Sequence, residues 1–438
     1  MTKLTRRTTI KAAAASAIAA PMIIRPYAAY AQRAERLVYW HLPMFTPLAD
    51  QAAQDLFDEY LELAGVKPEE AAFITVNNAD LIPKLSAGLE TGSPPDAARL
   101  YESYVQLYRA QGHMMDVTDM VEDMKAEEGG LFESSLRAVA KDGSYWGVPF
   151  AINPWPMHAR NDILQQAGLA YPATWDEFIE TCKTIQQPPF YGFGMDLGLT
   201  ADATDNIMQL LWCYGGYTTD DDGNVAFDNP GNVEGFKVID RMYNEHKIIP
   251  KGVVGNADTA WNNKAFQSGQ VAFINNPTSV YAYLLDKDPE MAANTGLYSV
   301  PAGPAGSVNQ IDTWSTGLFR QAPEPELVRG WVAYLMDPAN YSKMLLQTNG
   351  RFVPVYPKQF DDEWWTSRPE YSEFRKIAET GVPVSYKGAP SAASGEVLAT
   401  HIIPAAVQSM IIDGVAAEDA VAAAHVKIKD VYERLGDG

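Results

Sequence analysis

The spacing of apolar and polar positions changes along this chain from strand-like to helix-like and back. Leu37-Val38-Tyr39-Trp40 is a short apolar run that predicts a strand. Apolar residues then return at Leu48, Ala52, Leu56, Tyr60 and Leu63, a helical spacing that predicts a helix over 49–64, stopped by Gly65. A second strand is expected over 72–76, and a second helix over 79–89, closed by Thr91-Gly92-Ser93-Pro94-Pro95. A third strand is expected over 96–100. Strand and helix alternate, which predicts an α/β fold with a mostly parallel sheet flanked by helices.

Further along, Trp146-Gly147-Val148-Pro149-Phe150 opens an extended run that reaches Ala159 and is interrupted by Pro154 and Pro156. Prolines bar this run from the interior of an ordinary sheet but suit a rigid crossing segment. Helices are expected over 175–185, 205–214 and 233–245, with a hairpin turn at Asp220-Asp221-Asp222-Gly223-Asn224. The aspartates of that turn lack the ligand spacing and terminal glutamate of a calcium loop. Strands are expected over 271–274 and 297–300, and helices over 326–336, 339–347, 397–412 and 417–435.

At 438 residues the chain exceeds what one compact core organises, so two domains or lobes are expected. The N-terminus reads as an export signal over 1–31. It has a basic head with Arg6-Arg7, an apolar run over 12–24 too short to span a bilayer, and the small-x-small site Ala29-Tyr30-Ala31. The paired arginines resemble the twin-arginine type, with Thr9 where an aromatic is usual. A cut after Ala31 with no cysteine behind it implies a mature protein free in the periplasm, with no membrane anchor.

Removing the five cations of that segment takes the formal charge from −21 to −26. Such a chain is repelled by nucleic acid and by anionic membranes. The two cysteines, Cys182 and Cys213, either pair in an oxidising compartment or stay as buried free thiols. No metal-ligand spacing is present.

Four ordered segments then resemble the extracellular solute-binding proteins of ABC importers, in the branch of the maltose- and other sugar-binding proteins. The first is Leu85–Asp96. The second joins Tyr145–Phe150, Arg160–Leu164, Ala167-Gly168-Leu169, Pro172 and Thr174–Phe178. The third is Ala265–Phe273, and the last is Pro301-Ala302-Gly303-Pro304 with the helix from Pro325 behind it. His158-Ala159 departs from the family's usual aromatic pair. The resemblance implies a two-lobed periplasmic-binding-protein fold, type II-like, with the ligand in the cleft. The chain would cross near Ile152–Trp155, Trp314–Leu318 and Val355–Lys358. That places 32–151 with 316–355 in an N-terminal lobe and 152–315 with 356–438 in a C-terminal lobe. The implied partners are a sugar, polyol or sugar derivative and the transmembrane permease subunits, with the protein itself a monomer and no cofactor.

In α/β sheets, loops at the carboxyl ends of strands supply ligand-binding groups. A sugar needs flat apolar faces and fixed donors and acceptors to replace lost water. These rules select Trp40 and His41 after the first strand, Asn77 and Asn78 after the second, and Tyr101, Glu102 and Ser103 after the third. Asn153 and Trp155 in the first crossing, Asn275, Asn276 and Thr278, Asp312 and Trp314, and Arg351 complete the set. The resemblance implies that Glu102 or Ser103 holds hydroxyls and that Arg351 reaches the ligand. Plainer readings stand beside several of these: a core aromatic for Trp40, a solvated loop for His41, a turn for Asn77-Asn78, hinge packing for Trp155 and a surface ion pair for Arg351.

Nothing in the chain forms a Gly-x-Ser-x-Gly elbow, a His-Glu-x-x-His pair or a phosphate-binding P-loop, and there are only six histidines. The reading is therefore a binding protein rather than an enzyme. A secreted carbohydrate-active enzyme and a binding protein serving a sensor are the alternatives.

Overall fold

The computed structural model describes residues 35–435 apart from Thr259, so the expected export signal lies outside the described residues. In chain order the strands are β1 (Leu37–His41), β2 (Ala71–Thr75), β3 (Ala97–Tyr101), the short hairpin β4 (Ala140–Lys141) and β5 (Ser144–Tyr145), β6 (Val148–Pro154), β7 (Met157–Arg160), β8 (Tyr191–Phe193), β9 (Val271–Asn275), β10 (Thr295–Tyr298) and β11 (Ile311–Leu318). They form one five-stranded sheet, ordered β2-β1-β3-β11-β6, and one four-stranded sheet, ordered β10-β7-β9-β8.

Each sheet is parallel except for one strand. β1 runs parallel to β2 and β3, whereas β11 is antiparallel to both β3 and β6. In the second sheet β7 is antiparallel to β9 and β10, while β8 and β9 are parallel. The reversed strand is in both cases the one by which the chain arrives from the other sheet: β7 follows β6, and β11 follows β10. A strand entering from the cleft side must run away from it, opposite to its neighbours.

The prolines of the extended run fit this arrangement. β6 is an edge strand, so Pro149 and Pro154 remove no ladder donor from a sheet interior. Trp155-Pro156 then forms the crossing into β7.

Buried apolar side chains gather in two clusters. One joins Leu37, Tyr39, Leu100, Phe150, Trp314 and Trp331 around the first sheet. The other joins Phe178, Phe193, Trp212, Phe236, Phe273 and Ile428 around the second. The helix Trp175–Ile185 shows why local pattern and packing agree. Thr174 caps it by accepting from the Glu177 N–H, and Trp175, Phe178, Ile179, Cys182 and Ile185 are buried along one face. Cys182 and Cys213 are both buried and unpaired. The hairpin turn is present: Asp220 N–H donates to the Asn224 carbonyl, and Thr219 bridges Val225.

Three expectations are corrected. The second crossing is not near Trp314–Leu318, because all of β11 belongs to the first sheet and is paired on both sides; the crossing precedes Ile311. Residues after 355 do not leave the first core at once. Phe360, Trp365, Tyr371 and Phe374 remain in its cluster, and the chain joins the second near Val382, which pairs with Asn309 and Ile311. The helix expected over 397–412 is two helices, Ala392–Ala399 and Ile402–Ile411, broken at His401 with φ 54°. Among the described residues no helix is long and apolar enough to cross a membrane.

Candidate functional site: a carboxyl-lined cleft

A cavity of ≈ 470 Å³ lies between the two sheets. From the first sheet's side its wall takes Asn78, Tyr101, Glu102, Ser103, Asn153, Asp312 and Arg351. Trp155 comes from the first crossing, and Asn276, Asp202, Asp205 and Gly395 come from the opposite side. Strand direction explains the convergence: β1, β2, β3, β6 and β9 all end toward the cleft, so the residues just past their carboxyl ends meet there.

Asp312 is the hub. Its Oδ2 accepts from Trp155 Nε1 at 2.8 Å and from Asn153 Nδ2 at 3.0 Å, and its Oδ1 accepts from Gln310 Nε2 at 3.4 Å. The same Gln310 nitrogen donates to Asp205 Oδ1 at 2.7 Å, so two carboxyls from opposite walls share one amide. Behind them the Gln310 N–H donates to Gln209 Oε1 at 2.6 Å, the Gln209 amide donates to Asn275 Oδ1, and Asn275 Nδ2 donates to the Trp155 carbonyl at 3.1 Å. This chain ties both crossings to the end of β9. A connected polar network of this kind rigidifies what it joins, although Gln310 Oε1 is buried without a partner among the described residues.

Among the described residues Arg351 is the only basic side chain in the wall. Its guanidinium lies 4.6 Å from the Phe45 ring centre and its Nη1 is 3.5 Å from Asn153 Oδ1. Burial lowers its pKa to about 10, so it stays charged at neutral pH.

Against it stand four carboxyls. Burial, helped by the Asp312 charge, pushes Glu102 up to about 8, although the Thr313 N–H donates to it at 2.6 Å. Burial and then the charges of Asp196 and Asp312 bring Asp202 to about 7. Asp205 is raised well above the usual carboxylate range by burial. Burial also raises Asp312, opposed by its three donors.

Six of the expected residues do not line the cavity: Asn77 is exposed at the N-cap of the helix Asn78–Thr91, Asn275 is spent on the Trp155 carbonyl, and four more turn away from it. Trp314 is fully buried behind its wall, 5.1 Å from the Tyr101 ring and 4.5 Å from Phe352. His41 is fully buried on the other side of β1, where Nε2 meets Asp50 Oδ1 at 2.8 Å; burial lowers it to about 4, so it is neutral. Trp40 packs half-buried against the first core. Thr278 is spent on a 2.6 Å bond from its hydroxyl to the Arg351 carbonyl. For all four, period-two alternation or a local partner turns the side chain away from the opening, which position at a strand end alone does not reveal.

Asp202 and Asp205 escaped the sequence reading. They sit three apart in the helix Ala201–Cys213, hence on one face, behind the N-cap Thr200. Asp202, an acid in the first helical turn, is ordinarily explained by the helix dipole, which hides a cleft role. Among the described residues no group of three or more His, Cys, Asp or Glu is placed to hold a metal ion.

The family model of the bacterial extracellular solute-binding proteins matches residues 56–373. Among curated relatives, an arabinooligosaccharide-binding protein of Halalkalibacterium halodurans is 22% identical over 315 residues, covering 69% of this chain and 67% of its own. A lactose-binding protein of Rhizobium radiobacter is 25% identical over 235 residues, covering 51% of this chain and 52% of its own. The chain thus matches between half and two thirds of these relatives' lengths. Among solved structures, an ABC transporter solute-binding protein from Thermotoga lettingae bound with α-D-tagatose has a TM-score of 0.76 at 16% identity, covering 91% of this chain and 99% of that one. A sugar-binding protein from Xanthomonas citri has a TM-score of 0.77 at 16% identity, covering 91% and 97%. These structures share the two-lobed fold.

Proposed function

The chain belongs to the bacterial extracellular solute-binding proteins, and from that premise we propose that it is the capture component of an ABC importer, taking a carbohydrate or carbohydrate derivative in the cleft and delivering it to the transmembrane subunits. The observation that carries this reading is the cleft itself: ≈ 470 Å³ of space whose polar groups come from both walls. A ligand bridging both walls is bound best when they approach, so it shifts the population toward a closed form. Trp155, Tyr101 and Phe45 supply flat faces, while Asn78, Asn276, Glu102 and Asp312 supply hydrogen-bonding groups. Relatives named for arabinooligosaccharide and lactose binding support a sugar-class ligand.

The lobes on this reading are 35–154 with 311–381, and 155–310 with 382–435. The protein acts as a monomer in the periplasm after removal of residues 1–31, which Edman sequencing of the periplasmic fraction checks directly. Function is tested by calorimetric titration of the mature protein with sugars, sugar acids and polyols, followed by chromatography of the recovered ligand. Binding with the ligand returned intact supports capture. Because paired carboxyls also serve glycosidases, release of a cleaved product would turn the reading to a carbohydrate-active enzyme.

A further inference from the structure

Four carboxyls crowd the cleft and hold one another toward the protonated form, and a neutral sugar gives them no cation to ionise against. Among the described residues Glu102, Asp202, Asp205 and Asp312 face one volume with Arg351 as their only cation. Arg351 is already engaged, reaching Asn153 and lying over Phe45. Asp205 and Asp312 are drawn to one Gln310 nitrogen from opposite walls. Asp202 has the field of Asp196 and Asp312 around it, and among the described residues no hydrogen bond reaches its carboxyl. Three or more ligating groups are not arranged for a metal ion among the described residues, so a bare divalent cation does not fit.

A second set of groups asks for the opposite chemistry. Asn276 is 2% exposed and lines the cavity, yet its Nδ2 has no partner; Arg351 is 8% exposed and its Nε has none. Both are donors that want oxygen acceptors. One ligand type meets both demands: hydroxyl oxygens for Asn276 and Arg351, and a cationic N–H group for the carboxyls.

Resting on the capture reading above, we propose that the natural ligand is a polyhydroxylated amine, an amino sugar or amino polyol, whose protonated nitrogen sits among Asp202, Asp205 and Asp312. The amine supplies a positive charge against which these crowded carboxyls ionise, and at least two donors. Its hydroxyls take the donors that the protein leaves open. Closing the cleft around it strengthens each of these bonds by excluding water.

The test is calorimetric titration of the mature protein at pH 7 with matched pairs: glucose and glucosamine, glucitol and glucamine, lactose and lactosamine, with N-acetylglucosamine as the uncharged nitrogen control. The amine member of at least one pair should bind about tenfold or more tighter than its neutral partner, as a charge-assisted pair in a dry site requires. The acetylated control should lose that advantage. Asp202→Asn removes an ionisable group that makes no hydrogen bond to the described residues, and should cut the affinity of the amine member by a several-fold larger factor than that of its neutral partner. If a neutral member binds as tightly as its amine, or if Asp202→Asn weakens both alike, the amine inference is overturned and solute capture stands. If no member of any pair binds, the amine inference is overturned, and the broader titration with sugars, sugar acids and polyols decides solute capture. Amine preference shown by glucosamine assigns an amino sugar, and by glucamine an amino polyol.

Discussion

The Trp155 indole nitrogen donates a 2.8 Å hydrogen bond to the Asp312 carboxylate, and these two residues stand at different crossings between the lobes. Trp155 lies between β6 and β7, while Asp312 opens β11 after the return from β10. One bond therefore couples the two hinge segments at the floor of the cleft. A ligand that touches either residue acts on both.

Replacing Trp155 by Phe keeps a flat ring and deletes the donor. Asp312 then retains Asn153 and Gln310 but loses its shortest bond. Hydrogen bonds to charged groups contribute about 1.5–3 kcal/mol. Ligand affinity is expected to fall about tenfold, and the apo melting temperature to drop by a few degrees. Calorimetry and a thermal melt check this together; unchanged affinity would show that the bond serves only the fold.

Trp314→Ala separates core from cleft. The ring is fully buried and packs against Phe352 and Tyr101 rather than into the cavity. Large aromatic-to-alanine changes in a core cost about 3–5 kcal/mol. Urea unfolding should show a loss of that size, with any affinity change following from the displaced Tyr101. A stable variant with abolished binding would place the ring in the cleft after all.

The contrast between these two tryptophans shows what the chain reveals before folding. Strand and helix positions follow from periodicity, and 175–185 and 417–435 match the observed helices. The extended run with Pro154 and Pro156 locates the first crossing because proline chemistry is local. β11 was harder to read. Ile311–Leu318 pairs with two strands distant in sequence, so its place in the first sheet depends on tertiary pairing rather than pattern. The cleft follows the same rule. Asn153, Trp155 and Asp312 are legible from the crossings that the family resemblance implies, whereas Asp202 and Asp205 become visible only when the helix Ala201–Cys213 is seen to face them.

Stability of the ligand-free protein should decline as pH rises from 4.5 toward 8. An unfolded Glu102 ionises near 4.5, whereas burial holds the folded group protonated to about 8. Across that window the folded state binds the extra proton, so each pH increment favours unfolding. Glu102→Gln keeps an acceptor for the Thr313 N–H and removes the titration. The variant should be no more stable than the natural protein at pH 4.5 and increasingly more stable by pH 8.5, measured by urea unfolding at each pH. Parallel curves for the two proteins would mean that Glu102 is ionised throughout.

Closure itself has a pressure point at Gly395. The helix Ala392–Ala399 packs across the cleft on the helix Glu102–Ala110, and a Cβ at 395 would stand 3.0 Å from Ser103 Cβ and 3.4 Å from its Oγ. A methyl there demands a small shift; a branched side chain demands that the helices part. Neither substitution harms the helix locally, since glycine is the poorest former of the three residues. Gly395→Val should therefore leave the ligand-free melt unchanged or slightly raised while weakening binding about tenfold, because a wedge penalises only the closed form. Gly395→Ala should fall between. Small-angle scattering supplies the second readout: the contraction on adding a bound sugar should be smaller for the valine variant than for the natural protein. Full affinity and full contraction in Gly395→Val would show that the two helices meet without regard to ligand, and that closure is governed elsewhere in the cleft.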